Sequence, residues 1–275
     1  MTIDDVGFNY VRQLVRDRAA IVLEEGKQYL VASRLSLLAR REGLGSAQDV
    51  IDRLRAAPSG PWQRKVIEAM TTTETLFFRD GKPYDALKNT ILPELIKLRA
   101  GERKLQLWSC ACSSGQEPYS IAMLVREHFP QLASWDLRLV ATDLSSEMLA
   151  RSRTGRYSQL EVNRGLPSAF LQRYFDKVGD RSGVEWQIRG ELRKMIEFRE
   201  LNLAGKWSMT PADIVFLRNV LIYFDIETKR HILGKVRKVL RPGGVLMLGT
   251  AETTMNLVEG FDLVRSDGTS YYRAA

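Results

Sequence analysis

Trp108-Ser-Cys-Ala-Cys-Ser-Ser-Gly-Gln-Glu-Pro-Tyr119 is the stretch on which the reading of the fold turns. Before it, Lys104-Leu-Gln-Leu-Trp108 alternates apolar and polar residues, which predicts a strand. After it, Ser120-Ile-Ala-Met-Leu-Val-Arg-Glu-His128 repeats its apolar residues at helical spacing, which predicts a helix. A strand, a turn of small residues and a helix together form a cradle. Ser109, Ala111, Ser113, Ser114 and Gly115 let a ligand approach the backbone, and the helix start offers unpaired N–H groups. The turn is not G-x-G-x-x-G: it has one glycine, Gly115, closely followed by an acid, Glu117. A pyrophosphate requires bare N–H groups without a neighbouring carboxylate, whereas a cationic ligand suits the acid. Taken alone, the stretch also reads as an ordinary strand-to-helix turn of an α/β protein.

Downstream, strands and helices alternate, which predicts a mostly parallel sheet. Leu137 to Asp143 is a second strand ending in an acid, 28 residues after Gly115. That is somewhat beyond the roughly 20-residue spacing at which such folds place an acid on ribose hydroxyls. Ser145 or Ser146 starts the next helix. Residues 155–195 interrupt the rhythm with Gly179, Gly183 and Gly190 around Glu185-Trp-Gln-Ile188, the pattern of a small inserted β subdomain. Ile196 to Leu203 resumes the sheet, and Asp213 to Asn219 is a buried strand running into Val220-Leu-Ile-Tyr-Phe224. Asp225 caps a helix with Ile232, Leu233, Val236, Val239 and Leu240 on one face. Arg237, Lys238 and Arg241 lie at its negative end, and Pro242-Gly-Gly244 stops it. Val245 to Gly249 is a further strand. Phe261 to Arg265 and Thr269 to Arg273 form a terminal hairpin turning at Asp267-Gly268.

Upstream, the chain reads as helical. Phe8, Val11 and Val15 share a face, as do Leu30, Val31, Leu35 and Leu38. Ser46 with Asp49 predicts a capped helix start leading into Val50, Ile51 and Leu54. Pro61 suits the first turn of a helix carrying Trp62, Val66, Ile67 and Met70. Met70-Thr-Thr-Thr-Glu-Thr-Leu-Phe-Phe-Arg-Asp80 resists a helix because its β-branched and aromatic residues lose rotamer freedom there. It is either a plain linker or the lining of a cleft, with Arg79 aimed at a carboxylate. A helix with Tyr84, Leu87, Ile91, Leu95 and Ile96 follows, bent at Pro93. The expected organisation is a helical N-terminal domain over 1–80, a linker helix over 81–100 and an α/β domain over 101–275, with the inserted β subdomain at about 155–195.

The chain has 275 residues, of which 44% are hydrophobic and 27% charged, a normal balance for a packed globular protein. No apolar run approaches the roughly 18 residues of a membrane span. Met1-Thr-Ile-Asp-Asp5 lacks the basic-then-apolar pattern of a signal peptide, which predicts a cytoplasmic protein. Cys110 and Cys112 are the only cysteines, and His128 and His231 the only histidines, so no metal-ligand set is expected and the thiols read as buried and free. Net charge is +8 and the pI about 9.5, which points to an acidic partner without choosing among nucleic acid, membrane and protein.

These features converge on a nucleoside ligand without a phosphate chain. An acid stands at a strand end for ribose, another stands beside the glycine turn, and no phosphate loop or dinucleotide fingerprint is present. S-adenosylmethionine is the common ligand of that kind. The ending Leu240-Arg-Pro-Gly-Gly-Val-Leu246, then a strand and a hairpin, suits the seven-strand methyltransferase fold.

The chain also resembles the CheR family of bacterial chemoreceptor methyltransferases. The matching pieces are Thr73-Glu-Thr-Leu-Phe-Phe-Arg-Asp80, Trp108 to Ser120, Ala141-Thr-Asp143, Asn202-Leu203 and Arg218-Asn-Val-Leu-Ile-Tyr-Phe-Asp225. They occur in the family's order, and the resemblance spans essentially the whole chain, N-terminal helices and inserted subdomain included. The resemblance implies transfer of a methyl group from S-adenosylmethionine to glutamate carboxylates on the receptors' cytoplasmic helices. It implies cofactor contacts from Thr73, Thr75 and Arg79, with Glu117 near the amino-acid end, Asp143 on the ribose, Asn202 and Leu203 beside the adenine, and Asn219 and Val220 under the methionine moiety. Arg79 and Tyr223 are the candidates for catalysis by positioning. Thr73 stands where many relatives have asparagine, and Gln116 where an acid is common. A glutamate carboxylate is already ionised at neutral pH, so an in-line displacement needs no general base. The basic charge would steer docking onto glutamate-rich helices, with Arg151, Arg153, Arg156, Arg164, Arg173 and Arg181 making the inserted subdomain a basic surface. Some relatives use that subdomain to tether to a receptor tail.

Rival readings are weaker. A nucleic-acid methyltransferase would share the fold and charge, but Asn219-Val-Leu-Ile lacks the proline-aromatic pair that often holds an extruded base. A non-catalytic S-adenosylmethionine-binding module is the other rival, disfavoured by the intact acids Glu117 and Asp143. A nicotinamide-dependent dehydrogenase is disfavoured by the missing glycine fingerprint.

Overall fold

The computed structural model describes residues 3–180 and 183–275, and its chain divides into two compact units. One holds the residues up to Thr72 together with Leu203–Gly205 and Tyr223–Lys229; the other holds Thr73–Asn202, Lys206–Ile222 and Arg230–Ala275.

The first unit is built on four helices: α1 (Asp5–Ala19), α2 (Gln28–Arg41), α3 (Ala47–Ala56) and α4 (Pro61–Met70). Their starts follow local chemistry. The Asp4 carboxylate accepts the Gly7 N–H at 2.7 Å. Ser46 and Asp49 form the reciprocal capping box expected of them. Pro61 opens α4, where its missing N–H costs nothing. Phe8, Val11, Val15, Val31, Leu35, Val50, Ile51, Leu54 and Val66 are fully buried. On α2 the packed stripe is Val31, Ala32, Leu35, Leu38 and Ala39. Leu30, expected on that face, is only half-buried. The returning segment docks on the end of α1: Val22 N–H donates to the Tyr223 carbonyl at 2.9 Å, and Ile21 bridges Phe224.

The second unit opens with α5 (Lys82–Ala86), a π-helical turn over Leu87–Ile91, and α6 (Leu92–Leu98). The bend expected at Pro93 is this wide turn. Pro93 has no N–H and its ring would press on the carbonyl four residues back. The backbone widens instead, and Leu92 N–H reaches the Leu87 carbonyl. Tyr84, Leu87, Ile91, Leu92 and Leu95 are buried in the same core as the sheet.

The remaining elements alternate as the sequence suggests. They are β1 (Lys104–Cys110), α7 (Gln116–His128), β2 (Asp136–Asp143), α8 (Ser146–Thr154), β3 (Arg156–Ser158), α9 (Gln159–Val162), α10 (Ser168–Tyr174), β4 (Phe175–Asp180), β5 (Gly183–Ile188), α11 (Gly190–Arg193), β6 (Ile196–Glu200), β7 (Ala212–Leu217), α12 (Ile226–Val239), β8 (Leu240–Leu248), β9 (Phe261–Ser266) and β10 (Thr269–Ala274). Seven strands form one sheet in the order β6-β2-β1-β7-β8-β10-β9, parallel except for β10, which runs antiparallel to β8 and β9. The hairpin turns at Asp267-Gly268, both with positive φ.

One expectation is corrected. Leu240 and Arg241 do not extend the helix, and Pro242-Gly-Gly244 lies inside a strand. Ala212 pairs with Leu240, the register then shifts, and Ile214 pairs with Val245. A bulge accommodates the proline and two glycines. A buried polar lock sits at this end of the sheet. Asp213 accepts from Arg99 Nε at 2.7 Å and from the Gln106 N–H at 2.9 Å, while Arg99 also donates to the Pro242 carbonyl at 2.8 Å.

The insertion is a separate three-stranded sheet in the order β3-β5-β4. Of the arginines expected to make it a basic surface, Arg151, Arg156, Arg164 and Arg173 stand against Glu161, Glu185, Glu74 and Glu127. Arg153 donates to the Phe198 carbonyl at 2.8 Å. Arg181 lies outside the described residues. Among the described residues, no helix is long and apolar enough to cross a membrane.

Candidate cofactor site

The strand order reverses at β1, whose neighbours β2 and β7 continue in opposite directions along the sheet. Open α/β sheets bind ligands at such a switch point, beyond the C-terminal ends of the strands. The loops after β1, β2 and β7 therefore define the candidate site.

The loop after β1 is held in a strained shape. Ala111 and Ser113 have φ of 51° and 49°, and Gly115 has φ of 95°. A Cβ on Gly115 would lie 2.9 Å from Ser152 Oγ and 3.2 Å from the Tyr157 hydroxyl, so glycine is required by both backbone and space. Five of the nine described non-glycine residues with positive φ are Phe78, Asp80, Ala111, Ser113 and Asn219, all in the segments treated in this subsection. Such strain persists only where surrounding contacts fix it, and it concentrates at functional sites.

Asp143 ends β2 and is buried. Its carboxylate accepts the Ser113 N–H at 2.7 Å and the Ser145 N–H at 2.8 Å, so it joins the β1 loop to the cap of α8. Leu201 N–H donates to the Asp143 carbonyl at 2.9 Å, which sets Asn202 just beyond this strand end. Glu117, in the first turn of α7, accepts from Ser109 Oγ at 2.8 Å and from Arg218 Nη1 at 3.2 Å. Burial pushes its carboxyl above the ordinary range, while Arg218 and Ser109 pull it back. Cys110 and Cys112 are free and buried. Burial pushes both thiols well up, Glu117 reinforces it on each, and Asp143 adds to it on Cys112. Both therefore favour the protonated thiol and read as packing groups.

The threonine- and phenylalanine-rich segment is no plain linker. Phe77 is fully buried, edge-on to Tyr157 at 5.0 Å and to Phe175 at 5.7 Å. Phe78 N–H donates to Ser120 Oγ at 2.9 Å, and Ser113 Oγ donates to the Thr73 carbonyl at 2.5 Å. Thr73 is exposed and Thr75 half-buried. The half-buried Arg79 guanidinium has no hydrogen-bond or ion-pair partner among the described residues, although its charge acts on Glu74 and Glu117.

Two important side chains were not singled out from the sequence. Arg218, directly after β7, has 1% of its side chain exposed. It donates to Glu117, to Asp80 at 2.6 Å and to the Arg79 carbonyl at 3.0 Å, with its guanidinium carbon 5.9 Å from the Tyr84 ring centre. Burial opposes its charge, but Glu117, Tyr84 and Asp80 outweigh that and raise its pKa. A charged residue directly after the apolar run Ile214–Leu217 was the signal available. The second is Glu252, which accepts the N–H groups of Asn219 and Val220 at 2.8 and 2.9 Å. Both of those residues are half-buried. Leu203 and Tyr223 belong to the other compact unit, where Tyr223 receives the Val22 hydrogen bond.

The raised pKa of Glu117 has a measurable sign. The native state holds this proton more tightly than the unfolded chain, so its stabilising contribution is present below the ordinary value of 4.5 and is lost as pH rises through the native pKa. Glu117→Gln is therefore expected to remove part of the decline in stability above about pH 4.5. Denaturant midpoints measured across that range check it; identical pH slopes in the two proteins would contradict it.

The comparisons agree with this geometry. Residues 7–71 match the family model described as CheR methyltransferase, all-alpha domain, and residues 73–269 match CheR methyltransferase, SAM binding domain. The chain is 41% identical over 279 residues to chemotaxis protein methyltransferase Cher2 of Pseudomonas putida and 42% identical over 279 residues to chemotaxis protein methyltransferase 1 of Pseudomonas aeruginosa, covering 100% of both chains in each case. It is 36% identical to the chemotaxis protein methyltransferase of Vibrio parahaemolyticus, over 99% of this chain and 98% of that one. With S-adenosylmethionine as its cofactor and both family regions in order, the chain belongs to the CheR methyltransferase family.

Proposed function

We propose that the chain is a cytoplasmic protein-glutamate O-methyltransferase that esterifies glutamate side chains on the methylation helices of chemoreceptors; its relatives are named chemotaxis protein methyltransferases, and the glutamate acceptor follows from the family resemblance. The observation that carries this reading is the placing of a strand-end acid, Asp143, and a helix-start acid, Glu117, with an arginine that has no side-chain partner among the described residues, at the switch point of a CheR sheet. That donor set fits S-adenosylmethionine. Asp143 places a buried carboxylate at the end of β2, the kind of acceptor a ribose diol takes. Arg79 has a free guanidinium for an α-carboxylate. Glu117 is an acid for the amino and sulfonium end.

When bound, S-adenosylmethionine supplies an electrophilic methyl group on a sulfonium. The chain's own residues have no proton to remove from an ionised glutamate, so they act by alignment and by excluding water. By the family resemblance, Thr73 and Thr75 would contribute hydroxyls to the cofactor, Asn202 would lie beside the adenine, and Asn219 and Val220 would lie under the methionine moiety. For Leu203 and Tyr223 the roles at the adenine and at the acceptor rest on the family resemblance likewise. Tethering of a receptor tail to the inserted β subdomain rests on that resemblance too.

Mass spectrometry of a receptor cytoplasmic fragment after incubation with enzyme and S-adenosylmethionine tests the assignment. Methyl groups on glutamate carboxylates are expected. Methylation confined to lysine, or found on copurified RNA, would overturn it.

A further inference from the structure

Glu252 lies in the loop after β8, and its carboxylate carries an unusual load. Oε2 accepts the N–H groups of Asn219 at 2.8 Å and Gly249 at 2.7 Å, while Oε1 accepts those of Val220 at 2.9 Å and Leu221 at 2.7 Å. Four backbone donors fill the roughly four lone-pair sites of a carboxylate. The group therefore has no oxygen lone pair to offer a ligand. What it does is fasten two loops, one after β7 and one after β8, at neighbouring strand ends of the sheet. The fastened residues include Asn219 in the left-handed region, with φ of 58°, a conformation that a charged acceptor compensates. Gly249 makes the approach possible. A Cβ there would lie 2.7 Å from Asn219 Nδ2, 2.8 Å from Glu252 Oε2 and 2.9 Å from the Asn219 nitrogen.

We infer that Glu252 is a positioning residue for methyl transfer, acting through the Asn219–Val220 backbone that it holds against the bound cofactor. The inference rests on the proposed cofactor role of that backbone. Both N–H groups of that backbone are bound to Glu252, so the floor presents side chains and carbonyls, and their aim depends on this one carboxylate.

Two variants test it. Glu252→Gln keeps size but turns one acceptor oxygen into a donor facing two N–H groups. Gly249→Ala keeps the carboxylate but drives a methyl group into it. Each is expected to weaken S-adenosylhomocysteine binding about tenfold or more, measured by calorimetry well below the melting transition. Amide hydrogen exchange of residues 219–221 should accelerate in the same proteins, while that of β1 and β7 stays slow. A purely structural role would lower the melting temperature and leave the affinity of the folded protein unchanged; that result overturns the inference. If Glu252→Gln does not fold, Gly249→Ala decides on the same criterion. Absence of S-adenosylhomocysteine binding by the unaltered protein would instead remove the cofactor reading on which the inference stands.

Discussion

Asp143→Asn is expected to weaken S-adenosylhomocysteine binding about a hundredfold or more, with the protein still folded. The carboxylate has two tasks. It accepts the Ser113 and Ser145 N–H groups, which shapes the turn between β1 and α7, and it is the proposed partner of the ribose hydroxyls. Hydrogen bonds to a charged acceptor contribute roughly 1.5–3 kcal/mol each. An amide keeps one acceptor oxygen and sets an NH2 against donors, so it loses the charge and leaves a buried N–H badly served. The stability cost should be about 1–3 kcal/mol, because an unsatisfied buried donor loses its solvation without replacement. Titration calorimetry reads the first effect and thermal melting the second. An affinity within twofold of the unaltered protein would remove Asp143 from the cofactor site. Asp143→Ala is less clean, since it abandons both N–H groups at once.

Arg218→Met should produce the largest loss of stability, about 3–5 kcal/mol. The guanidinium is almost wholly buried and pairs with two acids, Glu117 and Asp80, of which Glu117 has only 12% of its side chain exposed. Removing the cation leaves Glu117 with only the Ser109 hydroxyl and releases the turn that carries Arg79. Methionine fills similar volume, so the loss reflects charge and hydrogen bonding more than a cavity. For a chain of this size, each kcal/mol shifts the melting temperature by roughly 2–4 °C. Adding Glu117→Gln to Arg218→Met should recover part of the loss, because the unpaired acid is then neutral; the double-mutant cycle measures that coupling. A melting temperature unchanged by Arg218→Met would mean that the network contributes nothing net.

Local chemistry was readable from the sequence wherever neighbours in the chain determine it. The Ser46–Asp49 capping box, Pro61 at a helix start, Ser145 ahead of α8 and the Asp267-Gly268 turn each depend on a few adjacent residues. The strand, turn and helix around Gly115 and the acid closing β2 were legible for the same reason. What stayed hidden depends on distant partners. Pro242-Gly-Gly244 reads as a helix stop followed by a loop, yet pairing with β7 draws it into a strand through a bulge. Nothing local distinguishes Arg218 from any charged residue after an apolar run; its burial arises because Asp80 lies 138 residues away in the chain. Glu252 reads as a surface acid until the two loops it joins, 33 residues apart, come together. The threonine-rich segment was legible as non-helical, but the burial of Phe77 against Tyr157 and Phe175 follows from the inserted subdomain.

The most direct test of the central claim is transfer of labelled methyl from S-adenosylmethionine to a chemoreceptor cytoplasmic fragment, followed by mild alkali. A carboxyl methyl ester hydrolyses and releases the label as volatile methanol, whereas N-methyl and nucleic-acid products keep it. The account predicts label on the fragment that alkali releases, reduced sharply by Arg79→Ala or Asp143→Asn. Alkali-stable label, or no transfer by a protein that binds S-adenosylhomocysteine normally, would contradict it.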